Sequence, residues 1–392
     1  QMCIRDSFDF LDIFLGGAFN RASIFALGIM PYISASIVIQ LLTVAVPYFQ
    51  KMQKEGDSGR KKMTQITRVL TILITAAQSI SYIAVTIPAE AILVDSRLYF
   101  TISSVVIITT GTMFCMWLGE RITDKGIGNG ISMLIMIGII AGFPQALIQE
   151  AAAKGMQGAL LFILEILALF FVVMAVVMLT QAVRRIPVQY AKQVVGNKVY
   201  GGQRQYIPLK VNSSGVMPII FAQALMFIPG MLAGFWRDSS EIANVIGNTF
   251  NDFTSWQYNV VFGLLVVVFT FFYTAITVNP NDIADNLKRN GGFIPGIKPG
   301  KQTSEFIDTV LTRITLPGSI FLAIVAILPA IASLAGVTRG FSYFYGGTSL
   351  LIMVGVILDT LQQIESYLLM RHYEGLMKSG RIKGRSQNIA VA

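Results

Sequence analysis

Residues 158–183 read GALLFILEILALFFVVMAVVMLTQAV, and Arg184-Arg185 follow at once. Across that block Glu165 is the one ionisable residue. A helix of about 20 apolar residues crosses a hydrocarbon core about 30 Å thick, so the block spans a membrane. Outward from it lie eight more apolar blocks, at 22–46, 66–87, 98–118, 131–148, 215–236, 257–279, 314–335 and 347–369. The chain of 392 residues is 54% hydrophobic and only 13% charged, against about 25% charged in an ordinary soluble domain. These blocks predict an all-α polytopic membrane protein with nine spans, a fold class set by physics alone.

Charge orients the spans. Of 30 Lys and Arg, 22 fall in the connections after the first, third, fifth, seventh and ninth blocks, and 6 fall on the other side. Basic connections stay in the cytoplasm. Residue 1 then falls outside the cell. No signal peptide is visible and the chain does not begin with Met, so a first span that carried the N-terminus across is expected to be missing. Residues 1–7 are expected to be a non-native remnant. The short apolar run 8–17 ends at Gly16-Gly17. It is too short to cross and reads as a half-helix or re-entrant segment.

Two cytoplasmic connections are long. Residues 184–214 hold Arg184, Arg185, Lys192, Lys198, Arg204 and Lys210 with no acid, and strand-like runs at 188–195 and 205–211 predict a hairpin around Gly196 and Gly201-Gly202. Residues 280–305 carry Lys288, Arg289, Lys298 and Lys301 among Gly-Gly and Pro-Gly pairs, which mark a looped tip.

Several function classes lack material. Cys3, Cys115 and the single histidine, His372, offer no metal-ligand set, no disulfide framework and no histidine-based catalysis. No nucleotide loop, HExxH or GxSxG stands out, so no catalytic residue, metal or cofactor is assigned. Within the spans Glu165 and Asp359 are the clear ionisable groups, with Glu365 near a cytoplasmic end. An ion-coupled secondary transporter needs such groups near the midplane, and that alternative stays open, as does an intramembrane enzyme. Large basic surfaces joined to a bundle without a polar substrate site suit a channel for a varied, extended substrate, whose wall should be apolar and unspecific.

Residues 16–40, GGAFNRASIFALGIMPYISASIVIQ, resemble the plug-to-gate segment of the SecY family, the main subunit of the Sec translocon. Further matches follow in order: Gly119-Glu120-Arg121-Ile122-Thr123 through Gly128-Asn129-Gly130-Ile131-Ser132, Arg184-Arg185-Ile186, Tyr190-Ala191-Lys192 and Ile207-Pro208-Leu209-Lys210-Val211-Asn212. Then come Asn279-Pro280, Ala284-Asp285-Asn286-Leu287-Lys288, Pro295-Gly296-Ile297, Pro299-Gly300 and Gly346-Gly347-Thr348-Ser349-Leu350-Leu351-Ile352. Each motif is modestly specific; their joint order over about residues 8–385 is very specific.

The resemblance implies a ten-span channel of two pseudo-symmetric halves, nine spans being present here. Residues 18–150 would hold four of five spans in the first half and 151–392 five in the second. It implies a pore ring of Ile29, Ile33, Ile135, Ile139, Ile220 and Ile352. The ring suits its task, because β-branched side chains are stiff at χ1 and an apolar constriction excludes water and ions by dewetting. Phe8, Phe10, Leu11, Ile13, Phe14, Gly16 and Gly17 would form the plug. Ser34, Ser36 and Gln40 would face Gln223 across a lateral gate between the first and second spans on one side and the sixth and seventh on the other. Arg184, Arg185, Lys288, Arg289 and Lys298 would dock the ribosome and the SecA motor ATPase. Lys298 stands where the family usually carries arginine, and lysine lacks the bidentate fork. SecE-like and SecG-like small subunits, secretory and membrane protein substrates and membrane lipids complete the implied partners, in a bacterial cytoplasmic membrane.

Overall fold

The computed structural model describes residues 23–87, 96–155, 158–190, 193–195, 198–200, 204–223, 225–226 and 253–378. The remnant 1–7, the plug residues 8–17 and half of the expected sixth span lie outside these. Among the described residues seven helices are long and apolar enough to cross a membrane, or eight if one bent pair is a single span.

That bent pair is α1 (Met30–Ala45) and α2 (Pro47–Lys54). Pro47 lacks an N–H and pushes Val46 out of the helical region; Val46 is extended, and the axes bend by 103°. The expected first span is helical only from Met30, with Pro31 in its first turn, and residues 24–29 form turns. Helices α3 (Asp57–Thr86), α4 (Arg97–Lys125), α5 (Gly130–Lys154) and α6 (Ala159–Gln181) follow. A helical stretch covers 217–223. Then come α7 (Trp256–Thr277), α8 (Pro280–Arg289), α9 (Lys301–Leu334), the single turn α10 (Arg339–Ser342) with a 3-10 turn at Tyr343–Tyr345, and α11 (Gly347–Lys378).

Local sequence starts several of these helices. Ser96, Asn129, Ser255 and Asn279 each accept a hydrogen bond from a backbone N–H of the first turn, satisfying a donor the helix leaves over. Pro280 suits the first position of α8, Asp282 its positive end, and Lys288 and Arg289 its negative end.

The Gly119…Gly130 motif is a contact between helices. A Cβ at Gly130 would lie 2.1 Å from the Gly119 carbonyl oxygen, and Thr123 Oγ1 accepts from the Gly130 N–H at 2.9 Å. Only glycine lets α4 and α5 meet this closely. On α3, Thr67, Thr71, Thr75 and Ser79 recur every fourth residue and are buried, each hydroxyl donating to the carbonyl four residues back at 2.7–2.9 Å. These small side chains satisfy themselves locally and let α3 pack closely on α1 and α4.

The two long basic connections and the start of α9 build a second module. Strand β1 (Val183–Tyr190) pairs antiparallel with β4 (Arg204–Lys210), from Val183↔Lys210 to Gln189↔Arg204. Between them β2 (Gln193–Val195) pairs with β3 (Lys198–Tyr200). The predicted hairpin is there, but β1 starts five residues earlier than expected. The second basic connection is not merely a looped tip. It holds α8 and a short strand β5 (Gly292–Phe293), which pairs with β1. Ile186, Val188, Leu209, Leu287, Ile294, Ile307 and Leu311 bury one core between the two connections.

Candidate pore, gate and docking surface

Three of the six ring candidates meet. Ile135 and Ile139 lie one turn apart on α5 and Ile352 lies in the second turn of α11. All three pack in one apolar cluster with Phe341, Phe344 and Tyr345, and with Met30 at the start of α1. Ile139 is 0% exposed, and burying such a side chain contributes about 1.5–3 kcal/mol. Ile29, next to Met30, is buried at the N-cap of α1. Ile33, one turn on, and Ile220 are half-buried and lie outside that cluster. Beside Ile220, Ile219 is fully buried in a second core made by α6, α7, α9 and α11. Successive helical residues point about 100° apart, so Ile220 faces away from the direction in which Ile219 is packed.

The gate candidates divide. Ser34 Oγ donates to the Met30 carbonyl of its own helix at 3.2 Å. Gln40 reaches across to the second part of the chain, but to a residue the sequence reading did not pick: Tyr273 on α7 donates its hydroxyl to Gln40 Oε1 at 3.2 Å. Phe221 stacks on Phe269 with centroids 5.8 Å apart and meets Tyr273 at 6.3 Å. Ser36 and Gln223 are half-buried, and among the described residues neither takes part in a hydrogen bond across this seam. A signal for Tyr273 existed: a tyrosine inside an apolar span must find a partner for its hydroxyl.

Glu165 has a structural partner. Lys154 Nζ lies 2.8 Å from Glu165 Oε1, 3.6 Å from Glu150 Oε1 and 2.9 Å from the Gly336 carbonyl oxygen. Glu150 is 0% exposed; its Oε2 accepts from the Thr338 N–H at 2.9 Å and from the Thr338 hydroxyl. Tyr345 donates to the Glu165 backbone carbonyl at 2.7 Å. Burial and the nearby carboxylates of Glu165 and Glu150 hold the Tyr345 phenol above its ordinary range. Asp359 is exposed on α11 and makes no ion pair among the described residues. No three His, Cys, Asp or Glu side chains converge there on a candidate metal position.

Arg184, Arg185, Lys288, Arg289 and Lys298 are all exposed. They belong to one body, because β5 joins the second connection to β1 and the two share a core. The Lys298 turn is tied by Thr303, whose hydroxyl donates to the Lys298 carbonyl at 3.0 Å, and Ser304 donates to Asn281 at 2.7 Å. A rigid cationic surface results, suited to a polyanion or an acidic partner.

Comparison with known proteins identifies the family and the fold. The SecY family model matches residues 23–361. The protein translocase subunit SecY of Streptomyces galbus is 43% identical over 394 aligned positions, covering 96% of this chain and 90% of that protein. The SecY of Vibrio cholerae is 42% identical, covering 96% and 86%. A solved protein-conducting channel matches with TM-score 0.58 and 18% identity over 88% of this chain and 81% of its own. Sec61 in the canine ribosome-channel complex from the endoplasmic reticulum matches with TM-score 0.53 and 17% identity over the same shares. Those two structures speak to the fold; the family model and the bacterial relatives settle membership. A chain with this span pattern, these motifs and this degree of identity over nearly its whole length belongs to the SecY family.

Proposed function

We propose that this chain is the channel subunit of a translocon. It passes unfolded secretory polypeptide across the bacterial cytoplasmic membrane and releases membrane segments sideways into it. The observation that carries the reading is the apolar meeting of Ile135, Ile139 and Ile352 from α5 and α11 beside Met30 of α1. Such a waist grips any passing chain without favouring a sequence and resists ions by dewetting. Ile29, Ile33 and Ile220 complete the ring, and residues 8–17 seal it from outside.

The seam between α1 and α7 is the lateral gate. Among the described residues one hydrogen bond crosses it, from the Tyr273 hydroxyl to Gln40 Oε1, beside the Phe221 stack. Bonds of this kind in membranes are worth about 0.6–2 kcal/mol, little enough for an incoming hydrophobic helix to replace. The cationic module docks the ribosome and a SecA-like motor, which supplies the energy; SecE-like and SecG-like subunits flank the bundle. Sec61 in a ribosome-channel complex and yeast Ssh1 bound to the ribosome support a ribosome as one partner. An ion-coupled transporter gains no support, since Glu165 is engaged by Lys154 and the relatives are translocase subunits.

The test is conductance and export in Ile33→Asn and Ile220→Asn. The resting ion leak should rise and precursors with defective signals should be exported. Wild-type values in both variants would remove the ring assignment.

A further inference from the structure

Among the described residues, polar links between the elements up to α5 and those from α6 onward are distributed unevenly; one joins the Gly128 N–H to Gln363 Oε1 at 2.6 Å, beside α11. At the α1–α7 seam one hydrogen bond crosses among the described residues, and the two helices make little other contact. At the other junction the end of α5 is tied to α6 and to residues 336–338 by a buried cluster. Glu150 accepts twice from Thr338. Lys154 bonds Glu165 and Gly336, and Tyr345 bonds the Glu165 backbone. The ring of Tyr345 belongs to the same apolar cluster as Ile135, Ile139 and Ile352. Charge in the cluster is unbalanced, with two carboxylates around one ammonium. Glu150 Oε1 and Glu165 Oε2 are buried without a hydrogen bond, and Lys154 Nζ, 3.6 Å from Glu150 Oε1 and 2.8 Å from Glu165 Oε1, supplies the positive charge that both carboxylates share.

We propose that Lys154, with Glu150 and Glu165, is a hinge clasp: a set of positioning residues that pins the α5–α6–α9 junction, so that the channel opens only at the α1–α7 seam and the waist keeps its resting width. The proposal rests on the pore and gate reading above. It assigns to these three side chains a role in signal dependence rather than in contact with the translocating chain. Without Lys154 the two carboxylates are left buried and uncompensated. The cheapest relief is water entering between α5 and α6, which moves Tyr345 and loosens the cluster it shares with Ile139.

Two measurements test this on the whole channel in its native membrane. First, Lys154→Met should raise the resting ion leak by about tenfold or more, because an unpaired buried ion is strongly disfavoured. It should also admit precursors with defective signals, and Lys154→Arg, which keeps the charge, should restore most of both. A Lys154→Met channel present at wild-type level with wild-type leak and signal dependence overturns the proposal. Second, Glu150→Cys with Thr338→Cys, bridged by a short bifunctional thiol reagent, replaces the clasp by a covalent one, whether or not Lys154→Met accumulates. Translocation should be unchanged, while a bridge between Gln40→Cys and Tyr273→Cys blocks it. Loss of translocation with the 150–338 bridge overturns the clasp and leaves the gate reading intact. Free translocation with the 40–273 bridge counts against the gate reading instead.

Discussion

Replacing Tyr273 by Phe deletes one oxygen and with it the hydrogen bond to Gln40 across the α1–α7 seam, the proposed gate. The phenyl ring stays, so its contact with Phe221, 6.3 Å between centroids, is retained, and the packing of α7 on α9 is not disturbed. The bond measures 3.2 Å, longer than the roughly 2.5–3.0 Å usual for O–H···O and therefore a weak one. Measured polar contacts between membrane helices average about 0.6 kcal/mol and reach about 1.7. At about 0.59 kcal/mol for RT, the closed-to-open equilibrium should shift roughly 3- to 18-fold toward open. The assay is the fraction of a reporter exported behind a signal sequence of graded hydrophobicity. The variant should export weaker signals, the whole curve moving by that factor in apparent affinity. Combining Tyr273→Phe with Gln40→Leu should add little to either change alone, because each removes the same bond. An unchanged signal threshold, or effects of the two substitutions that simply add, would refute the latch.

Other outcomes follow from the same geometry. Ile139→Asn puts an amide into a fully buried apolar cluster, and single-channel recording should show a persistent resting conductance, whereas Ile139→Val should stay close to wild type. Gly130→Ala places a methyl 2.1 Å from the Gly119 carbonyl. It should lower thermal stability in detergent by about 1–3 kcal/mol, and Gly142→Ala, with open space around it, should not. Reversing charge at Arg184 and Lys288 together should weaken ribosome binding in a co-sedimentation assay, and the salt dependence of the residual binding should be shallower.

How much of this was legible in the sequence depended on which physical signal each part obeys. Spans follow from apolar block length, so α4, α5, α6, α7 and α11 fall where hydropathy puts them. Helix ends do not follow it. Helix α9 begins at Lys301, 13 residues before its apolar block, because Lys301, Glu305, Asp308 and Arg313 stop a hydropathy window without stopping a helix. At about 1.5 Å per residue its 34 residues run about 51 Å, far beyond the hydrocarbon core. The excess length brings Ile307 and Leu311 under the β-module. The hairpin was readable from alternating side chains and turn residues. Strand β5 was not, since two residues carry no periodicity and pair with a strand about a hundred residues earlier.

The same division holds at the site. Motifs carried the isoleucines, yet only packing distinguishes Ile219 inside the bundle from Ile220 beside it. Glu165 stood out as a buried acid in an apolar block, but its partner Lys154 belongs to a different helix and read as an ordinary connection residue. The family resemblance points to Gln40 with Gln223 opposite, and its partner is instead Tyr273, more than two hundred residues away. Sequence showed which polar groups needed satisfying; the fold decided by what. The plug assignment, on residues 8–17, lies outside the described residues and stands as proposed.

The most direct measurement is photocrosslinking to a secretory precursor stalled in transit, with the probe placed in turn at positions 139, 220 and 352 and at Leu164, which is 64% exposed on α6. The translocating chain should be captured from the first three positions and lipid alone from position 164. Precursor captured as strongly from position 164, or from none of the three isoleucines, would mean that the polypeptide does not pass through the apolar waist.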